Sequence, residues 1–555
     1  MNDSLEIGVV VGGSLARALE VRLHPGRSAA LGQYVVAPAE DGGQIVGMVT
    51  DILLKSAEAG PTSWPPVDDS PAGRLLREVL LDTGVYTAVE VTPFLELGSD
   101  GSTARARRLP RHFAPARLAD QATIDAAFAT EAGVVIGSPL GMPHVQVAVD
   151  IERLFERSVG IFGKSGTGKS VLTLLLLDAM LEYSAQRPTR SERIVALVFD
   201  MHDDYGDYMK FAGPDSNRRS SLRRLHPTQV AVYTLDPNAT GVDGRIVIGT
   251  RDIEIEDLEV LRTTADFTGP ALEAAYDLQR LGQDWIDALL EDDPPESVVR
   301  RIWGSDPPED VNWGRVASRL GIHPGSLQNL RRGLRRFTKR PFVQRGSAQI
   351  SGVLDNVVDT LLSGRSVVIQ FGRAGSDLTS YMLVANMLSR RIWDRYRERV
   401  ERALRSNEEP PNRLVIVIEE AHKFVDRTVA DRSIFGQIAR ELRKYNVTLL
   451  VIDQRPSQID PEVLSQIGTK VALQLDSEAD VDALVSGVTG RSSLRQVIAS
   501  LESQQQALVF GHAVPMPVVV RPPDFAADHL PGGMLRGAAR SRGPSLKDAL
   551  FGRRT

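Results

Sequence analysis

Eight consecutive residues, Gly163-Lys164-Ser165-Gly166-Thr167-Gly168-Lys169-Ser170, constrain the fold more than any other feature of the chain. They satisfy G-x-x-x-x-G-K-[ST], in which glycines let the backbone turn its N–H groups onto a phosphate at a helix N-terminus. Such a loop needs a strand before it and a helix after it. Val159 to Phe162 is short and apolar, Lys169 to Leu181 is a longer apolar stretch, and Ile194 to Phe199 reads as the next strand. The expected class is therefore α/β with a parallel sheet. Leu414 to Ile418 and Thr448 to Ile452 lack alternation, as strands covered on both faces do.

A loop of this kind holds a phosphate, but breaking a phosphoanhydride also needs carboxylates at the end of a buried strand. Leu414 to Ile418 runs into Glu419 and Glu420. Glu419 is expected to hold the water of a magnesium ion shared with Ser170, and Glu420 to polarise the attacking water. The plainer reading is that both cap a helix starting at Ala421. Thr448 to Ile452 ends at Asp453 and Gln454, where Gln454 is the better candidate to touch the γ-phosphate. Asp200 closes Ile194 to Phe199 in an equivalent place, with His202 and Asp204 just beyond it. Arg440 and Arg443, on a helix expected from about Asp431 to Lys444, and Arg157, upstream of the loop, are candidate cations for the γ-phosphate. Each could equally be one half of a surface ion pair.

Composition removes other chemistries. The chain has no cysteine, which excludes disulfides, thiolate nucleophiles, iron–sulfur clusters and cysteine-based zinc sites. Its nine histidines are scattered, leaving magnesium held by oxygens as the natural metal. The formal net charge of −6 does not advertise nucleic acid. No apolar run reaches the roughly 18 residues of a membrane span, and the acidic Met1 to Glu6 is unlike a secretory signal. A soluble, cytoplasmic protein is expected.

At roughly 150 residues per domain, the length suggests three or four domains or one large domain with appendages. Residues 1–115 read as a small β-barrel, with strands at Glu6 to Val11, Ala18 to Leu23, Gln33 to Ala37, Gln44 to Leu54, Val85 to Leu97 and Ala104 to Leu109. Residues 116–150 read as a connecting segment, and 151–249 with 346–522 as the α/β core. Residues 250–345 read as a helical insertion, with helices at Asp257 to Phe267 and Ala271 to Leu290, and 523–555 as a flexible tail ending in an amphipathic Leu546 to Phe551. The insertion holds the densest cationic cluster, Arg331, Arg332, Arg335, Arg336, Lys339 and Arg340. It is either a contact for DNA or an acidic partner, or a solvated helix face.

Taken together, these residues resemble the HerA family of ring ATPases within the HerA/FtsK group. The resemblance rests on five ordered motifs: Arg157 to Ser170; Asp200-Met201-His202-Asp203-Asp204-Tyr205; Glu419-Glu420-Ala421-His422; Ile438 to Tyr445; and Gln454-Arg455-Pro456-Ser457. The N-terminal IGVVVGG and GQIVGMVTDIL are similar to the barrel called HAS. Glu419 stands where phosphate-loop NTPases generally have Asp, and Leu442 and Asp453 stand where the family usually has Gly and Ser.

The resemblance implies a RecA-like phosphate-loop core behind a HAS barrel, assembled as a homo-hexamer that hydrolyses ATP with Mg2+. Gly163, Ser165, Gly166, Thr167, Gly168, Lys169, Ser170 and Val171 would hold nucleotide, with Arg157 and Asp200 nearby. It further implies movement of double-stranded DNA through the ring and a partner, either a NurA-like nuclease in DNA-end processing or an effector in antiphage defence. The alternative is a hexameric scaffold that regulates an effector, with translocation secondary. An FtsK-like pump would be expected to carry membrane segments or a winged-helix reader, and neither is apparent.

Overall fold

The computed structural model describes residues 5–40, 42–57, 70–81, 84–128, 133–206, 221–262, 264–346, 351–372, 374, 377–406, 408–431, 433–441, 444–488, 490–502 and 506–522. The expected tail at 523–555, most of the loop expected at 59–73, Leu442 and Arg443 lie outside them. The chain divides into two compact units, one of residues 1–172, 454–457 and 467–555, the other of residues 173–453 and 458–466. No helix of the described residues is long and apolar enough to cross a membrane.

The strands, in chain order, are β1 (Glu6–Gly13), β2 (Leu19–Leu23), β3 (Tyr34–Pro38), β4 (Gln44–Ser56), β5 (Val85–Leu97), β6 (Thr103–Arg105), β7 (Pro115–Leu118), β8 (Gly133–Pro139), β9 (Val147–Asp150), β10 (Val159–Phe162), β11 (Ile194–Asp200), β12 (Val230–Thr234), β13 (Gly244–Arg245), β14 (Ile248–Gly249), β15 (Val343–Gln344), β16 (Ser366–Gln370), β17 (Arg413–Glu419), β18 (Val447–Asp453), β19 (Thr469–Ala472), β20 (Ala507–Gly511) and β21 (Val518–Arg521).

In the first unit, β2-β1-β7-β3-β4-β5 form a barrel that closes through β2 on β5, with β6 added to the outer edge of β5. Closure removes the free sheet edges. The inward residues are those the alternation singles out: Val10, Leu19, Val21, Leu23, Val35, Ile45, Val49, Val89 and Val91 form one apolar cluster. Gly8 is required where β1 crosses β2, because a Cβ there would lie 2.0 Å from the Arg22 carbonyl oxygen.

The described part of 116–150, the stretch expected to be a connector, contributes strands to both sheets of this unit. Ala116 on β7 is buried in the barrel core, and β8 and β9 extend a second sheet in the order β10-β19-β20-β21-β8-β9. Within this unit the Tyr34 hydroxyl donates to the Pro517 carbonyl at 2.5 Å and the Thr92 hydroxyl to Ser493 at 2.9 Å, joining barrel and sheet elements. The strand expected at Ala104 to Leu109 stops at Arg105, since the exposed, charged Arg107 and Arg108 follow and the chain runs into Pro110.

The second unit is built on the parallel order β13-β12-β16-β11-β17-β18. Every residue of β11, β12 and β18 is buried, which explains their unbroken apolar sequences. All these strands run the same way, so their last residues collect at one sheet edge. β11 ends at Asp200, β16 at Gln370, β17 at Glu419 and β18 at Asp453. Ligands of open α/β sheets bind at such carboxyl ends.

The helical segment of this unit comprises Ile255–Val260, Gly269–Gln279, Trp285–Leu290, Glu296–Trp303, Trp313–Leu320 and Pro324–Phe337. The single helix expected over Ala271 to Leu290 is two, broken at Gly282, whose φ of 127° no helix accommodates. The segment packs on the long helix Leu378–Ser406 through charge. Arg390 and Asn386 reach the fully buried Asp257 at 2.8 and 2.9 Å, and Arg391 reaches Asp252 at 2.6 Å.

The cationic cluster is largely consumed inside this segment. Arg331 donates to the Leu289 carbonyl at 2.8 Å, Arg335 to Asp292 at 2.6 Å, Arg336 to Asp266 at 3.1 Å and Arg340 to Asp377 at 2.6 Å. Arg335 also donates to the Leu290 carbonyl at 3.4 Å, so Arg331 and Arg335 both satisfy carbonyls at the C-terminus of Trp285–Leu290, a structural task that suits cations.

Arg390→Met leaves Asp257 buried with its principal cation removed. The expected result is a loss of about 3–5 kcal/mol in unfolding free energy, read as a lower urea midpoint.

Candidate active site

In the first unit, β10 delivers the chain into the phosphate loop, and Gly166 and Gly168 take φ of 78° and 95°, where a side chain would strain the turn. The loop is held from within and from beside. The Thr167 hydroxyl donates to the Lys164 carbonyl at 2.8 Å, and the Lys164 N–H donates to the Gln474 carbonyl at 2.9 Å. The Lys164 ammonium pairs with Asp476 at 3.1 Å. The Lys169 ammonium points into the loop, donating to the Gly163 and Lys164 carbonyls at 2.7 and 2.9 Å. Ser170 and Val171 are half-buried in the first turn of the helix Lys169–Ala185. Arg157 packs its side chain against Gly468, where a Cβ would meet it at 2.6 Å, and its Nε is buried without a hydrogen-bond partner. Gln454 is half-buried at the residue after β18.

In the second unit, the ends of β11, β17 and β18 carry a polar system enclosed by apolar strands. Glu419 is 5% exposed. One of its carboxylate oxygens accepts from the Tyr205 hydroxyl at 3.2 Å, while Oε2 is buried with no hydrogen-bond partner among the described residues. Tyr381, from the long helix, clamps the same residue by its backbone, donating to the Glu419 carbonyl at 3.0 Å and accepting from its N–H at 3.0 Å. Burial first, then the neighbouring Asp200 and Asp204 charges, push the Glu419 carboxyl well above the ordinary range.

Glu420 is the next residue, and its backbone is left-handed, φ 50° and ψ 45°. A non-glycine residue held there marks a constraint, and it turns the Glu420 carboxyl away from the strand direction so that it is partly open to solvent, 27% exposed. The 3-10 turn Ala421–Lys423 follows, not the α-helix that the capping reading requires.

Asp453 binds His422 twice, accepting from its backbone N–H at 2.6 Å and lying 2.9 Å from Nδ1. A carboxylate only accepts, so Nδ1 carries the proton. Nδ1 also lies 3.6 Å from a Glu420 oxygen. Glu420, His422 and Asp453 are close enough to share a metal by geometry, but the hydrogen bonds to His422 already occupy Asp453.

Asp200 is fully buried and faces its own loop, accepting from the N–H groups of Asp204, Tyr205 and Gly206 at 2.7, 2.9 and 2.9 Å. Burial pushes its carboxyl up to about 7. It organises the turn that brings Tyr205 to Glu419. Arg440 is paired with Asp431 at 2.6 Å and with Glu462 at 3.6 Å, so in this chain it has acidic partners of its own. Arg443 lies outside the described residues. Tyr381 escaped sequence reasoning because it sits inside a helix with no motif around it. The role of Asp453 was masked because the carboxylate appeared there as a departure from the usual serine.

Each unit by itself offers an oxygen donor of the kind magnesium takes: in the second, the buried Glu419 carboxylate, whose Oε2 has no hydrogen-bond partner among the described residues, and in the first, the Ser170 hydroxyl immediately after the loop lysine.

Residues 7–92 match the HAS barrel domain, and residues 134–392 match the central domain of helicase HerA. The chain is 24% identical over 545 residues to the DNA double-strand break repair helicase HerA of Pyrococcus furiosus, covering 93% of this chain and 91% of that relative. It is 23% identical over 518 residues to the protein of that name from Saccharolobus solfataricus, again covering 93% and 91%. Among solved structures, VirB4 of Thermoanaerobacter pseudethanolicus aligns at a TM-score of 0.41 and 15% identity, over 71% of this chain and 97% of that one. A HAS barrel followed by the HerA central domain, in a chain that aligns with HerA helicases over 93% of its length, makes this chain a member of the HerA family.

Proposed function

We propose that this chain is the subunit of a homo-hexameric, ATP-driven translocase of double-stranded DNA that works with a nuclease or other effector protein. The observation that carries the chemistry is the adjacent pair at the end of β17: Glu419 buried with one oxygen unpartnered, Glu420 turned outward by left-handed backbone. The relatives' names, which describe DNA double-strand break repair helicases, support DNA as the polymer to which ATP hydrolysis is coupled.

In this reading the loop N–H groups and Lys169 bind the β- and γ-phosphate oxygens, and Lys169 exchanges its loop carbonyls for them when nucleotide binds. Magnesium, bound with the nucleotide, supplies charge neutralisation on those oxygens, and Ser170 and Glu419 are the residues that would hold it. Glu420 accepts the proton of the attacking water. Asp453 fixes the orientation of His422, whose ring stands beside the Glu420 carboxyl. Gln454 senses the γ-phosphate. Arg440 or Arg443 acts from a neighbouring subunit, which for Arg440 requires release from Asp431 and Glu462.

Displacement of a third strand from a DNA triplex by the purified protein with ATP tests translocation; no displacement despite ATP turnover would refute it. Lys169→Ala is expected to weaken nucleotide binding by about 1.5–3 kcal/mol, measured by calorimetry. Glu420→Gln is expected to bind nucleotide as the parent does and to lose about a hundred- to ten-thousandfold in kcat.

Glu419 supplies a pH signature. A carboxyl whose folded-state pKa is raised favours the folded protein at low pH, and that contribution is lost as pH rises through the folded value. Without metal or nucleotide, Glu419→Gln removes the cost of burying this acid. The variant is expected to melt higher than the parent, by a margin that widens as pH rises above the ordinary carboxylate range, while hydrolysis is abolished. A margin independent of pH would contradict the assignment.

A further inference from the structure

The barrel carries a surface that the nucleotide chemistry does not use. Between β6 and β7 the chain reads Arg105-Ala106-Arg107-Arg108-Leu109-Pro110-Arg111-His112-Phe113, and Arg105, Arg107, Arg108, Arg111, His112 and Phe113 are all exposed. Arg108 has Glu96 at 3.6 Å and Arg111 has Glu40 at 3.1 Å. Arg105 and Arg107 have no carboxylate partner among the described residues. The stretch therefore holds uncompensated positive charge on a chain whose net charge is −6.

Phe113 is 74% exposed, more than any other aromatic side chain among the described residues. It is also held in a left-handed backbone, φ 64°, which a bulky side chain rarely adopts. Its neighbours enforce this. The Phe113 N–H donates to the Val10 carbonyl at 2.7 Å, the Ala114 N–H to the Arg111 carbonyl at 3.1 Å, and the Val10 N–H to the Ala114 carbonyl at 3.0 Å. Ala114 is buried in the barrel core. The turn is thus fixed to β1, and the ring stands outside it beside His112, centroids 6.2 Å apart. A lone exposed apolar side chain needs no explanation. An aromatic ring held out in an unfavourable backbone among four arginines does.

We infer that this loop binds single-stranded nucleic acid, such as the splayed end of a duplex, with Arg105 and Arg107 on phosphates and Phe113 stacked on an unpaired base. Cations alone would suit duplex DNA or an acidic protein equally. The ring decides against both, because duplex bases keep their faces stacked inside the helix, and a carboxylate-rich peptide offers Phe113 nothing to stack on. The inference extends the DNA-directed reading above, on which it rests for the existence of a nucleic-acid partner. It does not depend on hydrolysis and is tested without nucleotide.

The test uses the full chain and a fluorescent single-stranded oligonucleotide of about 16 nucleotides, the upper range for one small barrel, with binding read by anisotropy across a salt series. Phe113→Ala is expected to weaken binding about five- to hundredfold, as loss of one stacked base does. The double variant Arg105→Ser, Arg107→Ser is expected to lower the salt slope by about 1.4, two phosphates' worth for a single strand. DNA-independent ATP hydrolysis should stay unchanged in both.

Phe113→Gly separates binding from folding: glycine suits the left-handed backbone, so this variant should melt no lower than the parent and still lose affinity. A bromodeoxyuridine oligonucleotide should photocrosslink to the peptide containing Phe113. Unchanged affinity in all three variants, or crosslinks confined to other peptides, would overturn the inference. So would competition by polyglutamate that Phe113→Ala leaves unaffected, which would assign the loop to an acidic protein instead.

Discussion

The second unit is organised around one costly act, the burial of the Glu419 carboxyl at the end of an apolar parallel strand. A charged group placed there without compensation raises its own pKa and destabilises the fold. The surroundings respond only in part. Tyr205 donates to one oxygen, Tyr381 grips the backbone, and the remaining oxygen has no partner among the described residues. That incomplete satisfaction distinguishes a site from a structural acid. Asp257 in the same unit is equally buried but receives Arg390, Asn386 and a backbone N–H. Asp200 receives three backbone N–H groups. Only Glu419 among these three is left with an open coordination direction, which is what the proposed magnesium-holding role requires.

A sequence of dependencies follows from this placement. Asp200 shapes the turn after β11, the turn presents Tyr205, and Tyr205 meets Glu419. On the next strand, Asp453 fixes His422, whose ring lies beside Glu420. Each carboxylate at this sheet edge has a different environment, and environment assigns the roles: three backbone donors make Asp200 a brace, the imidazole makes Asp453 an orienting group, and the left-handed backbone of Glu420 leaves it able to reach water. The phosphate loop in the first unit shows the complementary condition. Lys169 is occupied by the loop's own carbonyls, contacts that phosphate oxygens can replace.

Much of this was legible in the residues. The phosphate loop announces itself because its glycines and lysine serve the backbone and a ligand rather than packing, so the pattern survives without tertiary information. The strands β11, β17 and β18 were readable because two-sided burial leaves no polar position to interrupt them. What failed depended on partners distant in sequence. Nothing near Tyr381 says that its hydroxyl will meet β17, and nothing near Arg331 says that it will cap a helix some 40 residues earlier rather than face a ligand. Gly282 was visible, but one glycine does not declare the left-handed value that splits a helix. The closing pair of the barrel, β2 on β5, joins residues about 70 apart, beyond any local pattern.

The central claim is that hydrolysis at Lys169 and Glu420 is coupled to DNA, and steady-state ATP turnover of the purified protein with and without linear duplex DNA tests it most directly, with the Lys169→Ala protein as the blank. The account predicts turnover that rises severalfold on adding duplex and is absent from the blank. Turnover indifferent to DNA, or equal to the blank under both conditions, would contradict it.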